Sequence, residues 1–165
     1  MITSTVRRMV VAALTTTFAV LPAPAHAEGK DADNDIERVE LIGISRSDTR
    51  PAHVMAGDDW MTRLDLHTPA TDGSGKKTLK PAGEGHSDCS AVKVQGDEVT
   101  AQCTRVLRLE KGTLVLSDMI TYRPGKRVTA KTGITAGTGQ YRSAYGEGYI
   151  TLEDRQVRLV LNIDE

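Results

Sequence analysis

Two carboxylates lie inside segments that alternate like β-strands. Asp118 interrupts the otherwise apolar face of the segment 113–122, and Asp65 lies within the segment 59–67. A carboxylate on an apolar face needs a partner, or the pKa of the group is raised. We therefore consider Asp118 and Asp65 as candidate catalytic acids or bases, or as anchors for a polar group of a ligand. The alternative is a structural ion pair or an exposed strand edge.

Arginine and aromatic side chains on neighbouring segments could complete such a site. Arg105 and Arg108 precede Asp118 by one predicted strand, so either could pair with it. Amphipathic aromatic side chains suit apolar ligands that carry a polar group. A ligand site is predicted at four residues, with simple barrel packing as the alternative: Trp60, Arg105, Tyr122 and Tyr149.

The histidines and serines show no pattern of a metal site or a nucleophile. His53, His67 and His86 have neither ligand spacing nor an acidic cluster beside them. No serine lies in the strand–turn–helix context of a hydrolase nucleophile. We predict no metal and no cofactor.

The N-terminal segment has the pattern of an export signal. Arg7 and Arg8 precede an apolar run of about a dozen residues, and the small residues that follow end in Ala-His-Ala27, typical of signal peptidase cleavage. An uncleaved membrane anchor is the alternative, and the arginine pair leaves twin-arginine export open beside the general route. We predict a signal peptide at 1–27, a polar flexible leader at 28–35 and a folded domain at 36–165, in a secreted protein.

The charge of the mature chain excludes some partners. Once residues 1–27 are removed, 19 Lys and Arg remain against 22 Asp and Glu. No basic excess or polybasic cluster is left for a phosphate backbone or an anionic membrane surface. We therefore predict no nucleic-acid partner and no stable membrane association after cleavage.

Cys89 and Cys103 are the two cysteines of the chain. In a secreted protein an even pair predicts a disulfide. A metal site or a nucleophile is the alternative, but two thiolates without nearby histidines do not complete a tetrahedral site. The turn Gln95-Gly-Asp97 lies between them, so the bond would join a hairpin or two neighbouring strands.

Turn signals recur at short intervals from residue 36 onward. They separate seven or eight short alternating segments, while the segment 68–80 is predicted to be a turn-rich connection. Short strands at this spacing predict an all-β sandwich or barrel. Mixed polarity on both faces of the segments favours a closed barrel with a partly polar lumen.

The segment Thr132–Gly148 is the most distinctive part of the sequence, with Gly137, Gly139 and Gly146 among its glycines. A phosphate-binding loop is excluded as the main interpretation, because no Walker pattern and no helix start are present. We predict that these glycines allow tight turns and close strand packing.

The same segment resembles a family signature. Its text G-I-T-A-G-T-G-Q-Y-R-S-A-Y-G is similar to the I-T-G-G-T-G-x-[FY]-x-x-A-x-G pattern of the allene oxide cyclase-like and dirigent-like barrels. Cys89, Cys103 and the strand opening at Leu109–Val115 extend the resemblance to the secreted bacterial members. Ala136, Gln140 and Tyr145 depart from the pattern, and the last two remove charged groups that dirigent chemistry uses.

The resemblance implies a closed eight-stranded antiparallel β-barrel, assembled as a homo-dimer or homo-trimer. It further implies that the lumen binds an apolar small molecule. If the protein is catalytic, it would be a cofactor-free isomerase or cyclase that templates one product by orientation. The alternative is a non-catalytic extracellular barrel that binds a small molecule or another protein. A lumen filled with aliphatic side chains would exclude both small-molecule functions.

Overall fold

The computed structural model describes residues 36–164, which form an antiparallel β-barrel; the predicted signal peptide and leader lie outside the described residues. The eight strands are β1 (Glu37–Asp48), β2 (Asp59–Thr71), β3 (Lys77–Gln95), β4 (Glu98–Leu109), β5 (Gly112–Tyr122), β6 (Val128–Gly137), β7 (Tyr145–Glu153) and β8 (Gln156–Asp164). The predicted fold class, a closed eight-stranded antiparallel barrel, is confirmed.

Each strand pairs with the next one along the chain, and β1 closes the barrel by pairing with β8. In the closing pair Leu41 lies opposite Leu159, and both side chains point into the lumen. All eight pairs are antiparallel, so short turns suffice between strands. Within residues 36–164, no helix has the length and apolar character needed to cross a bilayer.

The hairpin of β2 and β3 is longer than the sequence indicated. Residues 68–80 were predicted as a connection, but Thr68 pairs with Lys80 and Thr71 with Lys77, leaving only a short turn between the strands. The carboxylate of Asp72 accepts hydrogen bonds from the backbone of Ser74 and Lys76, which closes this turn. The Ser74 hydroxyl also donates to this carboxylate, at 2.6 Å, and this bond together with the two backbone bonds holds the pKa of Asp72 below its usual value.

The lumen is divided along the barrel axis into a filled half and an open half. Aliphatic side chains that are almost completely buried pack the filled half: Leu41, Leu66, Leu107, Leu114, Ile150, Leu159, Leu161 and Ile163. Burial of apolar area at ~25 cal/mol per Å² makes this half the main source of stability. Thus the lumen is not filled throughout, and the open half remains for a site.

The glycine segment lies at the filled end of the barrel, between the end of β6 and the start of β7. A single 3₁₀ turn, Gly139–Tyr141, bridges the two strands. A Cβ at Gly137 would lie 1.9 Å from the carbonyl oxygen of Tyr141, and Gly139 has a φ of 65°. At Gly146 a Cβ would lie 2.2 Å from the carbonyl oxygen of Asn162. Ala136, by contrast, avoids positive φ.

The predicted disulfide between Cys89 and Cys103 is confirmed. The two residues lie directly opposite each other on β3 and β4, with their Cα atoms 4.1 Å apart. Both side chains point inward and contribute to the wall of the open half. The bond therefore fixes the register of the two strands that carry the polar side chains described below.

Candidate ligand-binding cavity

The open half of the barrel contains a cavity of about 880 Å³. It lies at the end where the loop 49–58 and the three turns β3–β4, β5–β6 and β7–β8 meet, which is opposite to the glycine segment. Its wall combines apolar side chains, among them Trp60, Leu64, Val99 and Ile120, with a nearly equal share of polar surface. A cavity of this volume is in the range that accommodates a small organic molecule.

Alternation along the strands decides which side chains reach this cavity. On β5, Asp118 follows the same inward series as Leu114 and Tyr122, while Met119 points outward. On β4, Arg105 belongs to the inward series with Cys103. Side chains on one face of a strand recur every second residue, so both charged groups are carried into the lumen by the apolar pattern around them.

Arg105 and Asp118 form a buried ion pair. The Nε atom of Arg105 donates to Oδ2 of Asp118 at 2.8 Å, and Nη2 donates to Oδ1 at 3.0 Å. The Asp118 side chain has no solvent exposure, and that of Arg105 has 5%. Bidentate pairing of this kind compensates the loss of hydration of both charges.

Two hydroxyl groups complete the network around the ion pair. Nη1 of Arg105 donates to Oγ of Ser87 at 2.9 Å, and Oγ1 of Thr132 donates to Oδ2 of Asp118 at 3.4 Å. Arg105 and Ser87 line the cavity, whereas Asp118 lies behind them. The carboxylate is therefore occupied by its partners, and the side that faces the cavity is the guanidinium.

Arg50 lies at the open end of the cavity, beside the loop 49–58, which we call the mouth. Its guanidinium carbon lies 5.9 Å from the centre of the Trp60 ring and 5.5 Å from that of Tyr122, which are distances of cation–π contacts. Nη2 of Arg50 donates to Asp48 at 2.6 Å. Partial burial acts to lower the pKa of Arg50, but Asp48 and the Tyr122 hydroxyl outweigh it and raise this pKa above its ordinary value. Arg50 is thus charged at every physiological pH.

The hydroxyl of Tyr122 is buried in the cavity wall without a hydrogen-bond partner. Tyr122 is 6% exposed, and its Oη atom is the one buried side-chain polar atom in residues 36–164 that makes no hydrogen bond. The group is near enough to Arg50 to affect its pKa, but it does not reach hydrogen-bond geometry. Leaving a buried hydroxyl without a hydrogen bond costs about 1–3 kcal/mol of folding free energy. Because this hydroxyl lies in a cavity wall, a bound ligand could supply the missing hydrogen bond.

The structure brings four of the six predicted site residues together and leaves two outside. Trp60, Arg105 and Tyr122 line the cavity, and Asp118 holds Arg105. Asp65 alternates with the buried Leu64 and Leu66, so its side chain lies on the outer face and pairs with Arg46 at 2.7 Å. Tyr149 likewise points outward and is 48% exposed. Neither reaches the lumen, because each belongs to the outward series of its strand.

The structure also decides between the two arginines considered as partners of Asp118. Arg108 pairs with Glu84 on the outer face, so Arg105 is the partner of Asp118. Sequence reasoning missed Arg50 and Ser87 as site residues. Nothing in the sequence reveals Arg50, because its place over two rings depends on how the loop 49–58 folds back. Ser87 had one available signal, since it lies an even number of residues before Cys89 and shares its inward face.

Among residues 36–164, no three His, Cys, Asp or Glu side chains are grouped as metal ligands.

Comparison with known proteins establishes the fold. No protein-family model matches the sequence, and no curated protein matches it. Among solved structures, the chain is similar to one named pyocyanin demethylase, with a TM-score of 0.60 and 18% sequence identity. The match covers 77% of this chain and 99% of that chain. At this identity the similarity shows a shared fold and nothing more.

Proposed function

We propose that the protein binds a mostly apolar small molecule in the open half of its barrel. The observation that carries the proposal is the cavity of about 880 Å³, with the unpartnered Tyr122 hydroxyl in its wall. A chain that fills one half of its lumen with leucine and isoleucine could have filled the other half in the same way. Leaving it open forgoes burial of apolar area at ~25 cal/mol per Å², which a bound molecule restores.

The similar solved structure gives independent support. A protein named for demethylation of pyocyanin acts on a small molecule, and its barrel matches this one over nearly its whole length. We also propose kinship with the allene oxide cyclase-like and dirigent-like barrels, supported by the closed meander and by the position of the glycine segment between β6 and β7. Extracellular location is part of the proposal, and the disulfide is compatible with it.

If the bound molecule is reactive, the cavity could template its isomerisation or cyclisation. Asp118 is held by Arg105, and the hydroxyl groups of Ser87 and Thr132 bind the pair. These four residues form the closed inner end of the cavity, which we call the floor. Tyr122 is the polar group of the wall without a partner. Fixing one conformer of a substrate supplies up to several kcal/mol of the barrier without a nucleophile. Binding is the primary proposal, and templating is its catalytic form.

Cavity occupancy is tested with N-phenyl-1-naphthylamine, a neutral probe that fluoresces in apolar surroundings. The wild-type protein should bind it, and Thr62→Trp should weaken binding at least about tenfold, because the new ring fills space inside the cavity. Met61→Trp is the matched control, since Met61 is the adjacent residue and points outward with 49% exposure. Equal binding by the two variants would refute a lumenal site.

Templating is separated from binding by turnover. The protein is purified from culture medium, its co-purifying molecule is extracted and identified by mass spectrometry, and fresh molecule is added in excess. A template converts more than one equivalent per barrel. Recovery of the added molecule unchanged would leave a binding protein and exclude the catalytic form.

A further inference from the structure

The mouth of the cavity places a guanidinium and a free hydroxyl beside each other. Arg50 lies over the rings of Trp60 and Tyr122, and its side chain retains 32% exposure. Of the five N–H donors of a guanidinium, the side chain of Arg50 uses one, on Asp48. The Tyr122 hydroxyl, which contributes to the raised pKa of Arg50, has no partner in hydrogen-bond geometry among residues 36–164.

This arrangement has the chemistry of an oxyanion site. A planar guanidinium donates two parallel hydrogen bonds to a carboxylate, and bonds between charged groups are about twice as strong as neutral ones. The aromatic platform and Asp48 hold the guanidinium in place, so little side-chain entropy is lost on binding. Asp48 offsets part of the charge of Arg50, but it takes one N–H donor of Arg50, whereas Asp118 takes two donors of Arg105. Partial burial also reduces the screening of the charge by solvent.

The floor of the cavity has the opposite character. Arg105 is neutralised by Asp118 through two hydrogen bonds, and its Nη1 atom is bonded to Ser87. A second carboxylate at this depth would approach Asp118 without a free cation to compensate it. The floor therefore accepts an uncharged group, which can use the N–H donors that Arg105 has left.

The other charges at the mouth do not change this assignment. Arg123 is shared between Asp97 and Glu98, at 3.6 Å from each. Lys126 and Arg155 also line the cavity without an ion-pair partner, while Asp154 is an unpaired carboxylate beside them. These three exposed groups sum to one positive charge and are screened by solvent, so they add little to the contribution of Arg50.

We propose that the ligand is an elongated apolar acid, bound with its carboxylate on Arg50 and Tyr122 at the mouth and with an uncharged end at the floor. This inference rests on the proposed function and adds the chemical class and the orientation of the ligand. It assigns Arg50 as the residue that distinguishes an acid from a neutral molecule of the same shape.

The test uses three biphenyl probes of nearly equal shape, each measured by displacement of N-phenyl-1-naphthylamine. Biphenyl-4-carboxylate should bind the wild-type protein about tenfold more tightly than its methyl ester, as charge-assisted bonds imply. Biphenyl-4,4′-dicarboxylate should bind more weakly than the monoacid, because its second carboxylate would approach an arginine whose charge Asp118 already neutralises. The ratio of acid to ester affinity is the readout, since it cancels changes common to both probes.

Two variants assign the preference to Arg50. Arg50→Gln should reduce the acid-to-ester ratio to about one, and Tyr122→Phe should reduce it partly. Arg127→Gln is the matched control, because Arg127 lies at the same end of the barrel, pairs with Glu153 at 2.8 Å and does not line the cavity. It should retain the wild-type ratio.

Each outcome has one meaning. Failure of N-phenyl-1-naphthylamine to bind would refute the lumenal site, and this inference would fall with it. Binding of that probe with equal affinities for acid and ester would overturn the inference alone. A ratio that survives Arg50→Gln would overturn the role of Arg50, and a dicarboxylate that binds as tightly as the monoacid would overturn the orientation.

Discussion

Arg105 and Asp118 show how a single buried residue pair controls both stability and the shape of a site. Neither side chain could be inside the barrel alone, because an isolated buried charge costs several kcal/mol. Together with Ser87 and Thr132 they form a polar floor in which both charged groups have hydrogen-bond partners. The pair therefore positions the cavity floor, because the Asp118 carboxylate is bonded to Arg105 and Thr132 and does not face the cavity.

Removing one member of this pair is expected to destabilise the protein strongly. Asp118→Asn leaves Arg105 charged and buried, so we predict a loss of about 3 kcal/mol or more in the free energy of unfolding, measured by urea denaturation. It should also change ligand affinity more than Asp97→Asn, an exposed change in the β3–β4 turn. The double replacement Arg105→Met/Asp118→Leu should recover most of the lost stability. Similar losses for Asp118→Asn and Asp97→Asn would contradict a buried pair.

Tyr122 is predicted to show a conflict between stability and binding. Tyr122→Phe removes the unpartnered hydroxyl and keeps the ring under Arg50, so the free protein should gain about 1 kcal/mol in unfolding free energy. The same variant should bind an acidic ligand more weakly. Thermal unfolding and probe displacement measure the two effects. A destabilised Tyr122→Phe protein would show that the hydroxyl has a structural partner.

At the scale of elements, the glycine segment closes the filled end of the barrel by close backbone approach. Gly137→Ala would place a methyl group 1.9 Å from the carbonyl oxygen of Tyr141, so we predict a loss of about 2 kcal/mol or more. Gly133→Ala is the control within the same segment, because no atom lies within 4 Å of its Cβ position. It should change stability by less than about 0.5 kcal/mol. Equal effects in urea denaturation would contradict the packing role.

The disulfide joins β3 and β4 below the mouth of the cavity. The two cysteines are separated by 14 residues, so the bond should stabilise the barrel by about 3 kcal/mol through loop entropy. Intact mass without reductant, after thiol alkylation, should show no alkylated cysteine and a mass two hydrogen atoms below that of the reduced, unalkylated chain. The variant Cys89→Ala/Cys103→Ala should unfold at correspondingly lower urea concentration. Alkylated thiols in the unreduced sample would refute the bond.

At the scale of the whole molecule, the regular spacing of turns predicted an all-β sandwich or barrel, and the resemblance of the glycine segment implied the closed eight-stranded form. Trp60 and Tyr122 were selected as amphipathic aromatic residues and Arg105 as a partner of Asp118, and all three line the cavity because each lies on the inward series of its strand. Asp65 and Tyr149 were also selected by residue type, but they lie on the outward series of their strands. Residue type alone therefore does not identify a side chain that reaches the lumen.

Other features could not be read locally. The β2–β3 hairpin continues through residues rich in turn signals, because pairing with an existing strand outweighs weak local preferences. Arg50 reaches the mouth only because its loop folds over rings from β2 and β5, which are distant from each other in the chain. The division of the lumen into a filled and an open half depends on side chains from all eight strands, so no single segment reveals it.

The central claim is that the open half of the barrel binds a ligand, and that Arg50 and Tyr122 at the mouth bind the polar group of that ligand. The most direct test is a crystal structure of the protein grown with biphenyl-4-carboxylate. We predict electron density for the two rings between Trp60 and Ile120, with the carboxylate at Arg50 and Tyr122 and the distal ring above Arg105. An open half closed by rearranged side chains, or a probe bound only on the outer face, would contradict the claim.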